Sequence, residues 1–309
     1  MLTILQPSAY TFQGIDFEWH GLSIYPQPII FSINEINFYW YGFLISIGII
    51  SAYSLVSCLN KKDQTLLNDH QLSSLTLYLT LFGLIGARLY SVVLDWDYYK
   101  NNLIDIVKVW QGGMSLHGAI IFGILTLLLY ARYCMHQSVD VGLVRLAGRT
   151  IPVEHSKKQI KTFWDLADLV APGIVVTQIF GRFGNYFNQE LFGKPTSWFF
   201  GIPIDIVNRP ELYKSATHFH PAFLYEALWN VLVLIIVLFW RRFKSPGSVF
   251  LIYLILYSVG RFFIEFIRID DTLIVFGMRL PQVISLLIIF VCGIIITVRK
   301  FLKSERSTV

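Results

Sequence analysis

Seven long apolar blocks constrain this 309-residue chain more than any other feature. Each block approaches the length of about 20 residues that an α-helix needs to cross the hydrocarbon core of a bilayer. We therefore predict an all-α integral membrane protein with seven transmembrane helices, forming a single membrane domain over residues 1–309. The predicted spans cover about 38–58, 73–94, 114–134, 164–182, 221–240, 248–267 and 281–298.

The distribution of lysine and arginine predicts how these spans are oriented. Residues 1–37 contain neither, whereas most basic residues follow spans one, three, five and seven. Because cytoplasmic connections collect positive charge, we predict an outside N-terminus and a cytoplasmic C-terminus, which requires an odd number of spans. The net charge of +5 fits this bias and attraction to anionic headgroups, so it calls for no nucleic-acid partner. Residues 1–37 lack a basic region and a cleavage site, so no signal peptide is expected.

The segments outside the spans differ in character. The N-terminal outer segment 1–37 is predicted to be extended or rich in turns. Residues 183–220 contain several prolines between apolar residues, which favours strands and turns and predicts a small outer subdomain between spans four and five. The long connection 136–161 suggests no role. The cysteines lie in or at the ends of spans, so neither a disulfide framework nor a cysteine-rich metal site is indicated. They are Cys58, Cys134 and Cys292.

The unusual polar residues of the spans collect at one depth, near the predicted outer face. Charged and amide side chains at such positions are costly unless they meet a partner or a ligand, so they indicate a functional site. The inner halves of the spans hold almost none. The outer set comprises Tyr41, Arg88, His117, Arg182, Asn185, Asn188, Glu190, Glu226, Tyr257, Arg261, Glu265, Arg268 and Gln282.

The spacing within span six sharpens this prediction. Tyr257, Arg261 and Glu265 follow one another at intervals of four residues, and Arg268 comes three residues later. Such residues share one helical face, which must point into the bundle or into a wet cavity. Arginine is well suited to holding a phosphate with two hydrogen bonds. Several arginines at this depth therefore indicate a phospholipid headgroup as the ligand.

Each residue taken alone also has a purely structural explanation. Arg88 and Arg261 could pair with Asp95 and Glu265 and only fix the packing of helices. His117 alone is more often a packed or hydrogen-bonded histidine than a catalyst. The two asparagines after span four could join helices by hydrogen bonds. The convergence of so many polar groups at one depth favours function over these explanations.

Other functional classes fit the pattern less well. A lipid flippase or transporter, the main alternative, should carry polar groups through the midplane and often has repeated halves. An intramembrane protease would need a Ser–His pair, two aspartates at membrane depth or a His-Glu-x-x-His motif. The histidines His218 and His220 with Glu226 match no standard zinc spacing, so no metal is expected.

Four motifs in order carry a family resemblance. They are Gly-Gly-Met-Ser-Leu-His-Gly around His117, the segment Gly181–Gly193, the run from His220 to Glu226, and the run from Arg261 to Arg268. Together they resemble the prolipoprotein diacylglyceryl transferases, and the resemblance extends from about Tyr41 to the last span. The most specific motif is Gly-Arg-x-x-Asn-x-x-Asn-x-Glu-x-x-Gly.

The resemblance implies a reaction and its substrates. Such enzymes move the diacylglyceryl group of phosphatidylglycerol to the lipobox cysteine thiol at the signal peptide of a prolipoprotein. The product is a thioether, and glycerol phosphate is released. The reaction takes place at the outer face of the bacterial plasma (inner) membrane and uses no cofactor. The family's important arginines fall on Arg182 and Arg261, with His117 as a further catalytic position.

The remaining positions have expected roles in binding. We expect Arg182 and Arg261 to clamp the phosphate, and His117 or a nearby carboxylate to help deprotonate the thiol. Three residues are expected to orient the headgroup: Asn185, Asn188 and Tyr257. Three carboxylates are expected to hold the arginines: Glu190, Glu226 and Glu265. Tyr41 is a further supporting position. The chain departs from the usual family pattern at Tyr186, Ser258 and Pro281, and these departures leave every charged site residue in place.

Overall fold

The computed structural model describes residues 8–12, 15–19, 26–34, 36–62, 66–109, 112–137, 143–146, 149–152, 162–241 and 245–306. Seven long helices account for most of these residues, and each overlaps one predicted span. They are α1 (Trp40–Lys62), α2 (Asp69–Leu94), α4 (Leu116–Gln137), α5 (Phe163–Phe187), α6 (Ala222–Trp240), α7 (Ser248–Ile264) and α8 (Leu280–Arg306). A short helix, α3 (Trp96–Tyr99), and a 3-10 turn at Leu103–Val107 lie between α2 and α4.

Six of these helices are long and apolar enough to cross a bilayer, namely α1, α2, α4, α5, α6 and α8. Helix α7 is apolar but has 17 residues. At 1.5 Å per residue it reaches about 26 Å, somewhat less than the hydrocarbon core of about 30 Å. The predicted span six extends three residues beyond the end of α7, because the chain forms turns from Glu265 onward. A mostly helical membrane protein is confirmed, and the count of seven spans stays a prediction.

The N-terminal segment is more regular than the sequence analysis predicted. Four strands form an antiparallel sheet in chain order. They are β1 (Ser8–Phe12), β2 (Ile15–Trp19), β3 (Ile29–Ile33) and β4 (Ile36–Tyr39). Strand β4 leads directly into α1 at Trp40. The strands are rich in isoleucine, phenylalanine and tyrosine, which favour β-strands. The composition of this segment therefore indicated strands, whereas the prediction was of an extended or turn-rich segment.

The chain falls into two compact units, Met1–Ala52 with Ala171–Val309, and Tyr53–Val170. In the first unit, alanine, valine and tyrosine residues of α5, α6 and α7 form a buried core, which brings these helices close together. This core contains Ala171, Val175, Val233, Val237, Val249 and Tyr253.

Residues 188–221 link α5 to α6 within the first unit. They contain the antiparallel strands β7 (Ile202–Pro203) and β8 (His218–Phe219) and two 3-10 turns, as the proline pattern predicted. Phe192, Ile204 and Phe219 form the buried core of this segment. The first residues of the predicted subdomain instead continue α5 to Phe187. After α7, strands β9 (Ile274–Val275) and β10 (Met278–Arg279) form a short hairpin before α8.

In the second unit, α2 and α4 pack closely through two glycines. A Cβ atom on Gly118 would lie 2.1 Å from the carbonyl oxygen of Gly86, so both positions require glycine for the helices to touch. Helix α2 begins with a capping box between Asn68 and Gln71. The connection 136–161 contains the antiparallel strands β5 (Leu143–Leu146) and β6 (Arg149–Pro152), and much of the rest of it lies outside the described residues.

Candidate active site

Glu226 joins three arginines from different parts of the first unit. Its Oε2 lies 2.7 Å from Nη2 of Arg182, near the end of α5. Its Oε1 accepts hydrogen bonds from Nη1 of Arg261 on α7, at 3.0 Å, and from Nη1 of Arg268 after α7, at 2.9 Å. The Glu226 side chain is only 5% exposed. Because a buried carboxylate must be paired, Glu226 holds the ends of α5, α6 and α7 in one arrangement.

Glu265 forms the second centre of this arginine network. It is fully buried, and its Oε1 accepts a hydrogen bond from Nε of Arg279 at 2.7 Å. Its Oε2 lies 2.9 Å from Nη2 of Arg261 without an aligned hydrogen bond. Arg279 also donates to the backbone carbonyls of Arg268 and Asp270. The loop after α7 is therefore tied back to the last turn of that helix.

Asp270 completes the network at the start of that loop. Its Oδ1 accepts a hydrogen bond from Nε of Arg268 at 2.7 Å. Burial on its own would raise the pKa of Asp270, but the hydrogen bond from Arg268 and the charges of Arg268, Arg261 and Arg279 outweigh it and lower the pKa. Asp270 is therefore ionised at neutral pH, and three carboxylates share four guanidinium groups.

Arg182 and Arg261 differ from Arg268 in how accessible they are. Their side chains are 15% and 17% exposed, whereas that of Arg268 is 3% exposed. Each guanidinium has five N–H donors, and the described contacts of Arg182 and Arg261 leave several of them unused. These two arginines, selected from the sequence, can therefore still bind an anion, while Arg268 holds Glu226.

A smaller amide cluster lies at the end of α5. Oε1 of Glu190 accepts hydrogen bonds from the side-chain amides of Asn185, at 2.8 Å, and Asn188, at 3.1 Å. Oδ1 of Asn185 lies 3.4 Å from Nη1 of Arg182. Within the described chain, the side-chain partners of Glu190 are these two amides, so any hold of Glu190 on an arginine is indirect. Glu190 instead orients Asn185, which contacts Arg182.

Tyr41 packs against the same turn of α5. A Cβ atom on Gly184 would lie 2.6 Å from Cδ2 of the Tyr41 ring, so glycine is needed here for α1 and α5 to approach each other. Tyr41 is 38% exposed. The structure thus brings Tyr41 beside the polypeptide turn that carries Arg182 and Asn185.

A small cavity opens beside the arginine network. It measures about 10 Å³, room for about one water molecule. Its lining includes the predicted residues Glu226, Tyr257 and Arg261, and it also includes Asn230. Asn230 is 2% exposed, and its Nδ2 has no hydrogen-bond partner among the described residues. A buried amide donor without a partner is costly, so the cavity is suited to a ligand or water that accepts a hydrogen bond.

An apolar groove of about 400 Å³ runs between α6 and α7 next to this cavity. Trp229 and Ile264 line both spaces. The other residues of the groove are Tyr225, Leu228, Leu232, Gly260 and Phe263. A groove of this volume and polarity can hold part of an apolar ligand whose polar end lies at the arginines.

Gly260 sets the separation of α6 and α7 at this groove, and we expect Gly260→Ala to damage it. The added Cβ would lie 2.1 Å from Nε1 of Trp229, whose indole donates to the carbonyl of Leu256. Overpacking of this kind costs about 1–3 kcal/mol. We expect a lower melting temperature of the purified protein, measured by thermal shift. Gly293→Ala is the control, because no atom lies within 4 Å of its added Cβ. An equal effect of both variants would contradict this role of Gly260.

His117 and Arg88 belong to the second unit. His117 lies in the first turn of α4, and its ring stacks on Tyr90 of α2 with centroids 5.8 Å apart. The alternative pairing of Arg88 with Asp95 is wrong, because the Arg88 guanidinium donates to backbone carbonyls instead. The pairing of Arg261 with Glu265, the other half of that alternative, is present.

Sequence reasoning missed two contributors to the network, Arg279 and Asp270, and one residue of the adjacent cavity, Asn230. Arg279 is a basic residue at the predicted outer start of span seven, so it carried the same kind of signal as Arg261. Asp270 was passed over because it lies beyond the predicted end of span six. Asn230 carried a usable signal, because it is an amide inside the most apolar part of span five.

A family model for prolipoprotein diacylglyceryl transferase matches residues 28–299. The chain belongs to this family. Similar proteins named phosphatidylglycerol–prolipoprotein diacylglyceryl transferase occur in Trichormus variabilis, with 37% identity over 84% of this chain and 85% of the relative. The relative of that name from Listeria monocytogenes serotype 4a is 38% identical over 87% of this chain and 89% of its own length.

Membership of the diacylglyceryl transferase family confirms the resemblance drawn from the four motifs. All four motifs lie inside the matched residues 28–299. It also classes the chain with transferases, and the flippase alternative gains no support from these relatives.

Proposed function

We propose that this chain transfers the diacylglyceryl group of phosphatidylglycerol to the lipobox cysteine of prolipoproteins, in the bacterial plasma membrane. The observation that carries the proposal is the pair Arg182 and Arg261. Both are paired through Glu226 and are partly exposed with donors to spare. A lipid phosphodiester carries the single negative charge and the oxygen acceptors that such a pair binds.

The seven spans complete this proposal. The N-terminus lies outside, the C-terminus lies in the cytoplasm, and residues 183–220 form a subdomain at the outer face. This arrangement places Arg182 and Arg261 at the depth of outer-leaflet headgroups. Six helices of sufficient length and the excess of basic residues in alternate connections support it.

The chemistry follows from where charge develops. The cysteine thiol of the prolipoprotein loses its proton, and the thiolate sulfur forms a bond to the glyceryl carbon. The bond between that carbon and the phosphate oxygen breaks, and glycerol phosphate leaves with the electron pair. The phosphate gains a second negative charge in this step. Arg182 and Arg261 therefore bind the transition state more tightly than the bound lipid, which is the condition for catalysis.

The surrounding polar groups fix the lipid headgroup and the arginines. Asn185 and Asn188 are held by Glu190, and Tyr257 and Asn230 line the cavity beside Arg261. The glycerol hydroxyls of the headgroup supply both donors and acceptors for these groups. The apolar groove between α6 and α7 receives an acyl chain, because it shares Trp229 and Ile264 with the cavity.

His117 assists deprotonation of the thiol. A free thiol has a pKa of about 8.5, so a base beside the thiol raises the thiolate fraction at neutral pH. We expect His117→Gln to lower kcat for transfer about 10²–10⁴-fold, with a smaller change in KM for the lipid. His70→Gln, an exposed histidine at the start of α2, is the matched control and should transfer normally. Near-normal transfer by His117→Gln would remove His117 as the base.

One experiment tests the reaction as a whole. The purified protein is mixed with phosphatidylglycerol and a lipobox peptide, and the peptide mass is measured. The expected result is addition of one diacylglyceryl group and release of one glycerol phosphate per peptide. A peptide with serine in place of cysteine, and phosphatidylethanolamine in place of phosphatidylglycerol, are the controls. If the purified protein without substitutions forms no adduct, the proposed function is refuted.

A further inference from the structure

Four residues of α2 between Gly86 and Tyr90 contact the start of α4 or the loop before it, all within the second unit. Gly86 touches Gly118, and the carbonyl of Ala87 accepts a hydrogen bond from the backbone N–H of Ser115 at 3.0 Å. Arg88 donates to the two glycines before Ser115, and Tyr90 stacks on His117. The position of His117 is therefore set by a neighbouring helix over more than one turn.

Arg88 is the unusual member of this set. Its side chain is buried, with 5% of the residue exposed, and it lies beside the ring of Tyr99. Its three nitrogens donate to the backbone carbonyls of Asp105, Ile106, Lys108, Gly112 and Gly113. Within the described part of the chain, no carboxylate lies at ion-pair distance from Arg88, and the nearby carboxylate of Asp105 contacts Lys108 and Tyr98 instead. With its nitrogens occupied by these carbonyls, Arg88 organises the loop before α4 and is not available to bind phosphate.

The five carbonyls form a cage around the Arg88 guanidinium, and Gly113 fits closely within this cage. Its φ of +65° lies in the left-handed region that favours glycine. A Cβ atom there would also lie 2.7 Å from Nη1 of Arg88 and 3.0 Å from the hydroxyl oxygen of Tyr99. Both the backbone conformation and the available space therefore depend on glycine, only four residues before His117.

Helix packing alone does not account for Arg88. The contact between Gly86 and Gly118 already joins α2 to α4. A buried guanidinium whose hydrogen bonds all go to backbone carbonyls is costly even with the Asp105 carboxylate nearby, so its burial indicates that the loop needs a defined conformation. The five carbonyls belong to the loop that ends at the first turn of α4. The loop conformation in turn fixes where α4 begins and which way the His117 ring points.

We propose that Arg88 is a positioning residue that acts on diacylglyceryl transfer through His117, by holding the backbone carbonyls of the loop before α4, namely those of Asp105, Ile106, Lys108, Gly112 and Gly113. This proposal rests on the proposed function of His117 as the thiol base. Lysine cannot replace Arg88, because one ammonium group with three donors cannot reach five carbonyls spread around a planar guanidinium.

A double-mutant cycle tests the coupling of Arg88 to His117. Transfer to a lipobox peptide is measured with the full-length protein in phosphatidylglycerol-containing nanodiscs, for Arg88→Lys, His117→Gln and the double variant. We expect Arg88→Lys to lower kcat at least about 10-fold with little change in KM for the lipid, and to add nothing in the His117→Gln background. An equal fold-loss in both backgrounds would overturn the proposal.

The His117 ring provides a readout that does not depend on turnover. In histidine-labelled protein, the signal of His117 is assigned by its loss in His117→Gln. We expect Arg88→Lys and Gly113→Ala to shift this signal alone among the seven histidines. Gly123→Ala on α4, whose Cβ meets no atom within 4 Å, should shift none. An unchanged His117 signal, or shifts across all histidines, would overturn the positioning role.

The two measurements separate the failure of this inference from the failure of the proposed function. Normal transfer by His117→Gln would refute His117 as the base and, with it, the catalytic part of the inference. In that case the ring signal still decides whether Arg88 positions His117. Gly113→Ala leaves Arg88 intact and changes the cage from the loop side, so a folding defect of Arg88→Lys cannot decide the result.

Discussion

Replacing Arg261 with lysine is expected to lower the rate of diacylglyceryl transfer about 10²–10³-fold, the effect of losing one preorganised donor to a developing negative charge. Arg261 contacts both Glu226 and Glu265 and still lines the cavity beside Asn230. Lysine keeps the positive charge but loses the planar fork that can bind two carboxylates and a phosphate oxygen together. The measurement is transfer from labelled phosphatidylglycerol to a lipobox peptide in membranes.

A second site variant and a control outside the site show whether the loss of transfer comes from the arginine pair. Arg182→Lys should show a loss of the same order, because Arg182 shares Glu226 and a similar exposure. Arg299→Lys, near the far end of α8, should transfer normally. Full transfer by either site variant would refute the phosphate clamp. A loss confined to KM for the lipid would show ground-state binding only and would contradict stabilisation of the leaving phosphate.

Replacing Glu226 with glutamine is expected to destabilise the protein and to abolish most transfer. Glu226 is the common partner of Arg182, Arg261 and Arg268, and removing one partner of a buried ion pair typically costs about 3–5 kcal/mol. Arg268 is the residue most affected, because its side chain is 3% exposed. Thermal unfolding of the purified protein and peptide transfer are measured together.

Two further variants test whether Glu226→Gln acts by leaving a buried arginine without its carboxylate partner. Glu211→Gln removes an exposed partner of Lys214 and should change stability by less than about 1 kcal/mol. Arg268→Met in the Glu226→Gln background should restore part of the lost stability, because it removes the uncompensated buried charge. If Arg268→Met instead adds a full second loss, Glu226 does not serve as the carboxylate partner that the network requires.

The sequence predicted those features that depend on spacing along one helix. The pairing of Arg261 with Glu265 follows from an interval of four residues across the last turn and C-cap of α7, and the structure has it. The placement of the helices follows from runs of apolar residues. Periodicity does not reveal where a helix ends when turns are also apolar, so the end of α7 was predicted three residues late.

Partners from separate elements could not be read from spacing. Glu226 lies on α6, and its three arginines come from α5, α7 and the loop beyond α7. Glu190 was expected to pair with an arginine by type of charge, but the turn after α5 brings two amides to it instead. The structural alternative for Arg88 was a pairing with Asp95, but the loop before α4 supplies carbonyls at its guanidinium.

The sequence by itself determined that this chain is a helical membrane protein of the diacylglyceryl transferase family, and it selected Arg182 and Arg261. Apolar runs and motif spacing are properties of neighbours in the chain, so they are legible without coordinates. Only the tertiary structure decided that three arginines meet at Glu226 while Glu190 contacts amides, that Arg268 is committed to Glu226, and that Arg88 holds a loop. Those outcomes depend on which helix ends meet, because a buried charge is satisfied by whatever partner packing brings within hydrogen-bond distance.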